Sequence, residues 1–295
     1  MPELPEVEVT RRGIDLPLRG ARVLAVRMGK PLRWPLGHPV ESLAGHTVGP
    51  VLRRGKYLWL PLFAWVGATA DSSADVACDS PPTTPGSGGG LLMHLGMSGS
   101  LALLPQAAAP GPHDHFDLVT DRGTLRLNDP RRFGAVVWSP ALDSGPAAKL
   151  LARLGPEPFD ASLTPAAFHA ALHRHRAPVK TVLLGGSAVV GAGNIYACEA
   201  LFQAGIHPAL RSDRISRPRA EKLLAAVRAT LARALDLGGS TLRDFSDAHG
   251  VSGAYQSQAA VYGRAGQPCL RCGGGVKKVV QAQRSTYFCS TCQKR

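Results

Sequence analysis

Four cysteines near the end of the chain constrain its fold more than any other feature of the sequence. They form two Cys-x-x-Cys pairs, Cys269 with Cys272 and Cys289 with Cys292, with sixteen residues between the pairs. Two pairs at this separation can place four thiolates in a tetrahedron around one zinc ion, which leaves no position for water or substrate. The sequence therefore predicts one structural zinc and a reducing compartment rather than a disulfide framework.

The residues around these cysteines are basic. Lys277, Lys278 and Arg284 lie between the pairs, beside the strand-like run 286–288, and no acidic residue follows Asp247. Over the whole chain 34 Lys and Arg oppose 21 Asp and Glu, a net charge of +13. Such an excess predicts a polyanionic partner, most simply nucleic acid, although charge alone leaves a membrane surface open. A zinc-held basic hairpin suits a DNA groove; a zinc ribbon that binds protein is the alternative.

The first six residues, Met-Pro-Glu-Leu-Pro-Glu, combine two prolines with two carboxylates. They lack the run of about 7–15 apolar residues that a secretory signal needs. No run of the chain approaches the roughly 18–20 apolar residues needed to span a bilayer, so we expect a cytoplasmic protein that does not enter a membrane. If the initiator methionine is removed, Pro2 presents a secondary amine with Glu3 beside it, a nucleophile with an acid/base partner. The alternative is structural: Pro5 stands in the first turn of a helix and the acids complement its dipole.

The N-terminal half predicts one helix followed by strands. Residues 5–18 repeat apolar side chains at helical spacing. Short strand-like runs follow without intervening helices, and 121–123 marks a hairpin. These runs are 23–28, 57–65, 91–95, 101–104, 116–120, 124–128 and 135–138. The pattern is typical of an antiparallel sandwich or barrel.

One segment interrupts these strands. Residues 67–90 consist of small residues, prolines and glycines, with Asp71, Asp75 and Asp79 but no Lys or Arg. We interpret 67–90 as a disordered surface loop that does not grip a phosphate backbone, and Cys78 within it as incidental.

After a hinge at 154–158 the sequence predicts helices. Thr164 and Pro165 are an N-cap and first-turn proline. The predicted helices are 165–173, 179–184, 195–204 and 218–237. The turn 191–194 opens one of them. Its glycines and free N–H groups favour phosphate, although a helix-capping turn is the default explanation.

Two loop motifs combine cationic, aromatic and thioether side chains. The first, 94–100, contains Met97, and the second, 129–133, contains Arg131 and Phe133. Proteins that extrude a base from DNA insert such side chains to fill the gap. Taken singly, Met97 and Phe133 would instead be interpreted as core residues.

In this order, these pieces resemble the bacterial formamidopyrimidine-DNA glycosylase family, over the whole chain except 67–90. The matching motifs are the N-terminal hexapeptide, the segment around Lys56, His-Leu-Gly-Met-Ser-Gly-Ser, Asp-Pro-Arg-Arg-Phe-Gly, Gly-Asn-Ile-Tyr-Ala, Gly-Ile-His-Pro and the four cysteines. The implied fold is α+β. It comprises an N-terminal antiparallel β-sandwich flanked by helices at 1–152, a helical helix-two-turn-helix domain at 153–260 and a four-cysteine zinc-finger β-hairpin at 261–295.

The resemblance implies a bifunctional DNA repair enzyme. It would excise oxidised purines, notably 8-oxoguanine and formamidopyrimidines, from double-stranded DNA and cleave the abasic site by β,δ-elimination. The implied enzyme is a monomer of the bacterial cytoplasm, associated with the nucleoid, and its one cofactor is the structural zinc.

Family knowledge also implies roles for matching residues. Pro2 would attack C1′ as the Schiff-base nucleophile, with Glu3 as proton donor. Lys56 would serve β-elimination and Arg284 δ-elimination. Met97, Arg131 and Phe133 would fill the vacated stack, and the implied DNA contacts are His113, Arg131, His175, Asn194 and Lys180. The chain departs from the family's usual sequence at two places. His175 falls where the family often has lysine. The segment 242–258, the implied loop over the flipped base, differs most from the family pattern.

Two alternatives stay open. An endonuclease VIII-type glycosylase would act on oxidised pyrimidines, but that group typically has glycine at the position of Leu4 and lacks the lysine matched by Lys180. A non-catalytic zinc-finger DNA-binding protein would use Pro2 only to start a helix. The presence of Pro2, Glu3 and Lys56 together argues against it.

Overall fold

The computed structural model describes residues 2–64, 88–240 and 253–295. Most of the predicted 67–90 loop, including Cys78, lies outside the described residues. The same holds for 242–252, the greater part of the implied 242–258 loop.

Within the described residues the chain forms two compact units. The first consists of Thr10–Leu151, and the second combines Pro2–Val9 with 152–240 and 253–295. The first turn of the chain thus belongs to the same unit as the C-terminal residues.

Helix α1, Leu4–Leu18, confirms the helix predicted from apolar spacing. Pro5 stands in its first turn, where a missing N–H costs no helical hydrogen bond. Val7, Ile14 and Leu18 are at most 1% exposed. The predicted apolar face is therefore the buried one.

The first unit is built from short strands. They are β1 Val23–Met28, β2 Thr47–Val48, β3 Leu52–Arg54, β4 Tyr57–Phe63, β5 Gly90–His94, β6 Ser100–Leu104, β7 Asp114–Thr120, β8 Gly123–Asn128 and β9 Ala135–Ser139. In the described part of the chain they pair antiparallel in the orders β1-β7-β8-β6 and β2-β4-β5-β9, with β3 on β4. Each order has two ends, so the sheets are open and do not close a barrel. Helix α2, Gly145–Leu151, follows β9.

The second unit is mainly helical. Its helices are α3 Pro165–His173, α4 Val179–Gly185, α5 Asn194–Gln203 and α6 Arg217–Asp236. The Thr164 side chain accepts the N–H of Ala167 at 3.1 Å and caps α3 as predicted. The apolar faces of these helices form one buried cluster that includes Phe168, Tyr196 and Leu223. Among the described residues, no helix is long and apolar enough to cross a membrane.

A β-hairpin ends the second unit. Strands β10, Lys277–Gln281, and β11, Arg284–Phe288, pair antiparallel. Ala282 and Gln283 form the turn with φ of 49° and 58°. Two successive left-handed residues give the type I′ turn that matches strand twist. Together with the sheets and helices, this hairpin confirms the predicted α+β class.

Candidate active site and zinc centre

In the second unit, helices α1 and α5 start next to each other. The Glu3 carboxylate accepts the N–H of Gly193 at 2.6 Å and that of Ile195 at 3.0 Å. Free N–H groups at a helix start bind anions, and here the anion is Glu3. The turn 191–194 therefore caps a helix, as in the default explanation, and these two N–H groups are already occupied. Pro2, the predicted nucleophile, is buried one residue before Glu3.

Two glycines permit this close approach. A Cβ atom at Gly193 would lie 2.3 Å from the carboxyl carbon of Glu3. Gly191 has φ +95°, and a Cβ there would lie 2.4 Å from the side chain of Leu4. The Leu4 N–H also donates to the Gly191 carbonyl at 3.2 Å. Larger residues at these positions would push the start of α1 away from α5.

A second buried carboxylate, Glu6, lies one turn further along α1. It accepts the backbone N–H of Glu3 at 2.8 Å, the hydroxyl of Tyr196 at 2.6 Å and the N–H of Ser240 at 2.7 Å. Burial, followed by the charges of Glu6 and Glu3, raises the pKa of Tyr196, so its hydroxyl stays protonated and donates. Sequence reasoning gave Glu6 only a supporting role, as an acid that complements the helix dipole. Its position three residues after Glu3, at the start of a helix, was the available signal for this contact.

Lys180 is completely buried between α5 and the hairpin. Its Nζ donates to Asn194 Oδ1 at 2.6 Å, to Thr286 Oγ1 at 2.7 Å and to the Ser285 carbonyl at 3.2 Å. Burial lowers the pKa of Lys180. Arg284 directly precedes Ser285, so the structure brings the strand of Arg284 against Lys180 and Asn194.

The four cysteines converge as predicted. Their Sγ atoms all lie within 4.8 Å of one another, at 3.9 Å for Cys269 to Cys292 and 3.6 Å for Cys272 to Cys289. A tetrahedron with zinc–sulfur bonds of about 2.3 Å has edges of about 3.8 Å. The donor set fits one structural zinc, with all four positions filled by thiolates. Within the described ranges, no other group of three or more His, Cys, Asp or Glu comes together in this way.

Lys56 lies in a tight turn of the first unit, between β3 and β4. Gly55 precedes it with φ +57°, and Arg54 pairs with Tyr57 across the turn. This two-residue turn places the lysine at the end of a well-paired hairpin rather than on a long loop. The Lys56 side chain is half-buried.

His94, at the end of β5, is a neighbour that sequence reasoning did not assign. Its ring centroid lies 4.8 Å from that of Tyr57. Burial and the charges of Lys56 and Arg33 lower the pKa of His94 to about 4. The imidazole is therefore neutral at physiological pH. Its Nδ1 accepts the N–H of Gly96 at 3.0 Å, which leaves Nε2 as the N–H donor.

Asp129 joins the two loops that carry the predicted void-filling residues. It is fully buried and accepts the Ser98 hydroxyl and the Gly134 N–H, at 2.8 Å and 2.7 Å. Ser98 follows Met97 in one loop, and Gly134 ends the other. The motifs 94–100 and 129–133 are thus adjacent in space.

Two of the three predicted void-filling side chains on these loops are exposed. Phe133 is 43% exposed, and the Arg131 guanidinium lies 5.0 Å from its ring centroid. Met97 is half-buried and Arg131 exposed. The core-packing interpretation of Phe133 is therefore wrong.

His113 and His175 are two further predicted DNA contacts. The His113 carbonyl accepts the Asp129 N–H at 2.8 Å, so His113 adjoins the 129–133 loop. His113 is exposed just before β7 in the first unit. His175, in the second unit, is half-buried, with Nε2 3.1 Å from the Ser187 hydroxyl.

Family models match most of the chain. Residues 1–136 match the formamidopyrimidine-DNA glycosylase N-terminal domain and 154–246 the formamidopyrimidine-DNA glycosylase H2TH domain. Residues 266–295 match the zinc finger found in FPG and IleRS. The fold, the zinc site and the three family-model matches together define a DNA glycosylase with a helix-two-turn-helix domain and a zinc finger.

Individual relatives agree over the full length. The chain is 55% identical over 294 residues to a formamidopyrimidine-DNA glycosylase of Variovorax paradoxus, covering 100% of both proteins. It resembles the crystal structure of MutM (Fpg) from Thermus thermophilus with a TM-score of 0.82 and 36% identity, over 99% of this chain and 98% of that one. It also resembles the crystal structure of a Lactococcus lactis Fpg variant bound to Fapy-dG DNA. The TM-score is 0.84 and the sequence identity 30%, with 100% of each chain covered. The chain belongs to the formamidopyrimidine-DNA glycosylase family.

Proposed function

We propose that this chain is a bifunctional base-excision-repair enzyme that removes oxidised purines from duplex DNA and cleaves the resulting abasic site. The observation that carries the proposal is the position of Glu3, which is buried one residue after Pro2 and held by two N–H groups at the start of α5. A fixed carboxylate beside an N-terminal amine is the pair that amine catalysis needs. Solved relatives bound to Fapy-dG and abasic-site DNA support this substrate class.

In the proposed mechanism the amine of Pro2, once Met1 is removed, attacks C1′ of the damaged nucleotide and the glycosidic bond breaks. An ordinary α-amine is about one-tenth neutral at pH 7, whereas a lysine is neutral less than about 0.1% of the time. Glu3 donates the proton that opens the sugar ring. Because Pro2 is a secondary amine, the product is an iminium ion at C1′.

The iminium ion makes strand cleavage possible. It withdraws electrons and acidifies the C2′ hydrogen, so loss of that proton expels the 3′-phosphate. A second elimination expels the 5′-phosphate. We assign proton donation in the first elimination to Lys56. Arg284, which begins the zinc-held strand β11, would serve the second elimination and bind phosphate. The zinc is structural, because thiolates fill its coordination positions.

The remaining predicted residues would hold the DNA. Met97, Arg131 and Phe133 fill the space left by the flipped base, while His113 and His175 contact the backbone. Asn194 is a further backbone contact, and buried Lys180 would act through it. The proposed functional division is 1–152, 153–260 and 261–295, and the proposed place of action is the nucleoid in the bacterial cytoplasm.

The proposal is tested with duplexes that each carry one 8-oxoguanine, one formamidopyrimidine, one oxidised pyrimidine or no lesion. We expect excision of both purine lesions and a gap with phosphate at each end. Glu3→Gln should slow base release by at least about 100-fold. Excision of the oxidised pyrimidine alone would favour the endonuclease VIII-type alternative. Tight binding without any excision would favour a non-catalytic protein.

A further inference from the structure

The Gly-Ile-His-Pro motif, residues 205–208, has no part in the chemistry described above. It follows α5 and lies against the last residues of the chain. The Lys294 N–H donates to the Gly205 carbonyl at 3.0 Å, and the His207 N–H donates to the Lys294 carbonyl at 2.9 Å. The motif and the C-terminus therefore pair like two short parallel strands at Ile206 and Lys294.

The buried side chain of Gln293 adds a second link between the 205–208 motif and the C-terminal residues. Its side chain is 2% exposed. Nε2 donates to the Ile206 carbonyl at 2.9 Å, and Oε1 accepts the Cys289 N–H at 2.9 Å. One amide group thus joins the 205–208 motif to the backbone of a zinc ligand. A buried amide satisfied at both ends fixes the separation of the two groups that it bridges.

The same motif contacts the hairpin. The His207 ring meets Phe288 of β11 edge-on, at 4.7 Å between centroids and 71° between planes. Gln281, the last residue of β10, donates from Nε2 to the Pro208 carbonyl at 3.1 Å. Gln281 also pairs directly with Arg284 across the hairpin. Both strands of the hairpin that carries Arg284 are therefore held against 205–208.

A DNA-contact role for the motif fits these observations less well. Ile206 is fully buried and His207 half-buried. The Nδ1 atom of His207 accepts the N–H of Ala209 at 3.2 Å. Burial and the charges of Arg295 and Lys277 lower the pKa of His207, which makes the ring a neutral packing surface rather than a cation for phosphate.

We propose that Gln293 is a positioning residue, which locks the zinc hairpin onto the 205–208 motif and so sets the location of Arg284 for the second elimination. This inference rests on the proposed function. It assigns a purpose to the Gly-Ile-His-Pro motif, namely docking of the zinc module. It also separates two roles, because the cysteines fold the module while Gln293 orients it.

The test is Gln293→Met in the zinc-loaded full chain, a change that keeps side-chain length and removes both hydrogen bonds. On a duplex with a preformed abasic site, we expect the ratio of δ- to β-elimination product to fall about tenfold, with β-elimination itself changed less than about twofold. Zinc content should stay at one per chain, and the Cys289 amide should exchange its hydrogen faster. Gln106→Met, at an exposed glutamine of the first unit, is the matched control and should change none of these.

If the Gln293→Met variant loses zinc, the His207→Ala variant becomes the test of docking. It removes the contact with Phe288 but leaves the hydrogen bond from the N–H of the zinc ligand Cys289 in place. A lowered δ to β ratio in His207→Ala supports the inference. An unchanged ratio in both variants, or an equal fall of β- and δ-products, overturns it. Absence of both products in the unaltered protein would instead be a failure of the proposed function.

Discussion

Buried carboxylates set the local order of the candidate site at the scale of single residues. Glu3 and Glu6 satisfy N–H groups and a phenol in the second unit, and Asp129 ties two loops in the first. A buried charge is tolerated when it accepts several hydrogen bonds, as each of these does. The N-terminal hexapeptide motif identifies Glu3 as a candidate catalytic residue. Two partners of Glu6, Tyr196 and Ser240, are 190 and 234 positions away in the sequence, and only folding reveals them.

Asp117 on β7 shows how such a group links stability to pH. It is 4% exposed and accepts from Arg126 at 2.8 Å and 2.9 Å and from Arg27 at 2.8 Å. Burial alone would raise the pKa of Asp117, but the hydrogen bonds and charges of the two arginines outweigh it and hold the pKa below the usual value for an aspartate. Its contribution to stability is therefore present above about pH 5 and is lost as the pH falls through the folded-state pKa.

We predict that Asp117→Asn lowers the free energy of unfolding by about 3 kcal/mol at pH 7, since buried Arg126 loses its closest counter-charge. Urea unfolding at several pH values measures this, and the difference from the unaltered protein should shrink in acid. Exposed Asp143→Asn is the control, with an expected change within about 0.5 kcal/mol. A difference of constant size from neutral to acid pH would contradict the linkage.

At the scale of elements, periodicity and caps predict most of the fold. The Thr164–Pro165 signal gives the bounds of α3, and apolar spacing gives α1 within one residue. Sequence patterns do not predict three of the elements. Strand β2 has only two residues, β3 is largely basic, and α2 begins with Gly-Pro. These elements depend on tertiary contacts, such as Ala147 of α2 packing on Trp59 and Leu92. Sequence patterns within a short segment do not contain that information.

The start of α5 gives the prediction at this scale. Gly193→Ala would place a methyl group 2.3 Å from the Glu3 carboxyl carbon. Glu3 would have to leave the N–H groups of α5, and we expect base release to fall by at least about 100-fold, as a misplaced catalytic group implies. Gly185→Ala is the matched control, because a Cβ there meets nothing within 4 Å. Equal activity of the two variants, in a glycosylase assay with folding checked by circular dichroism, would contradict the role of this contact.

At the scale of the whole molecule, spacing alone predicts the zinc site, because two Cys-x-x-Cys pairs fix the donor set wherever the hairpin lies. The net charge of +13 predicts the class of partner. The catalytic assignment needed more, since Pro2 and Glu3 by themselves allow an equally good structural interpretation. The order of the later motifs favours the catalytic interpretation by resemblance, and the burial of Glu3 against α5 is compatible with it.

The central claim is that the amine of Pro2 forms the covalent intermediate. It is tested most directly by borohydride reduction during reaction with 8-oxoguanine duplex, followed by peptide mapping of the trapped adduct. We predict that the DNA remnant is on the Pro2 nitrogen, and that a form retaining Met1 gives no adduct. A remnant mapped to Lys56 or another lysine, or full trapping by the Met1-retaining form, would contradict the account.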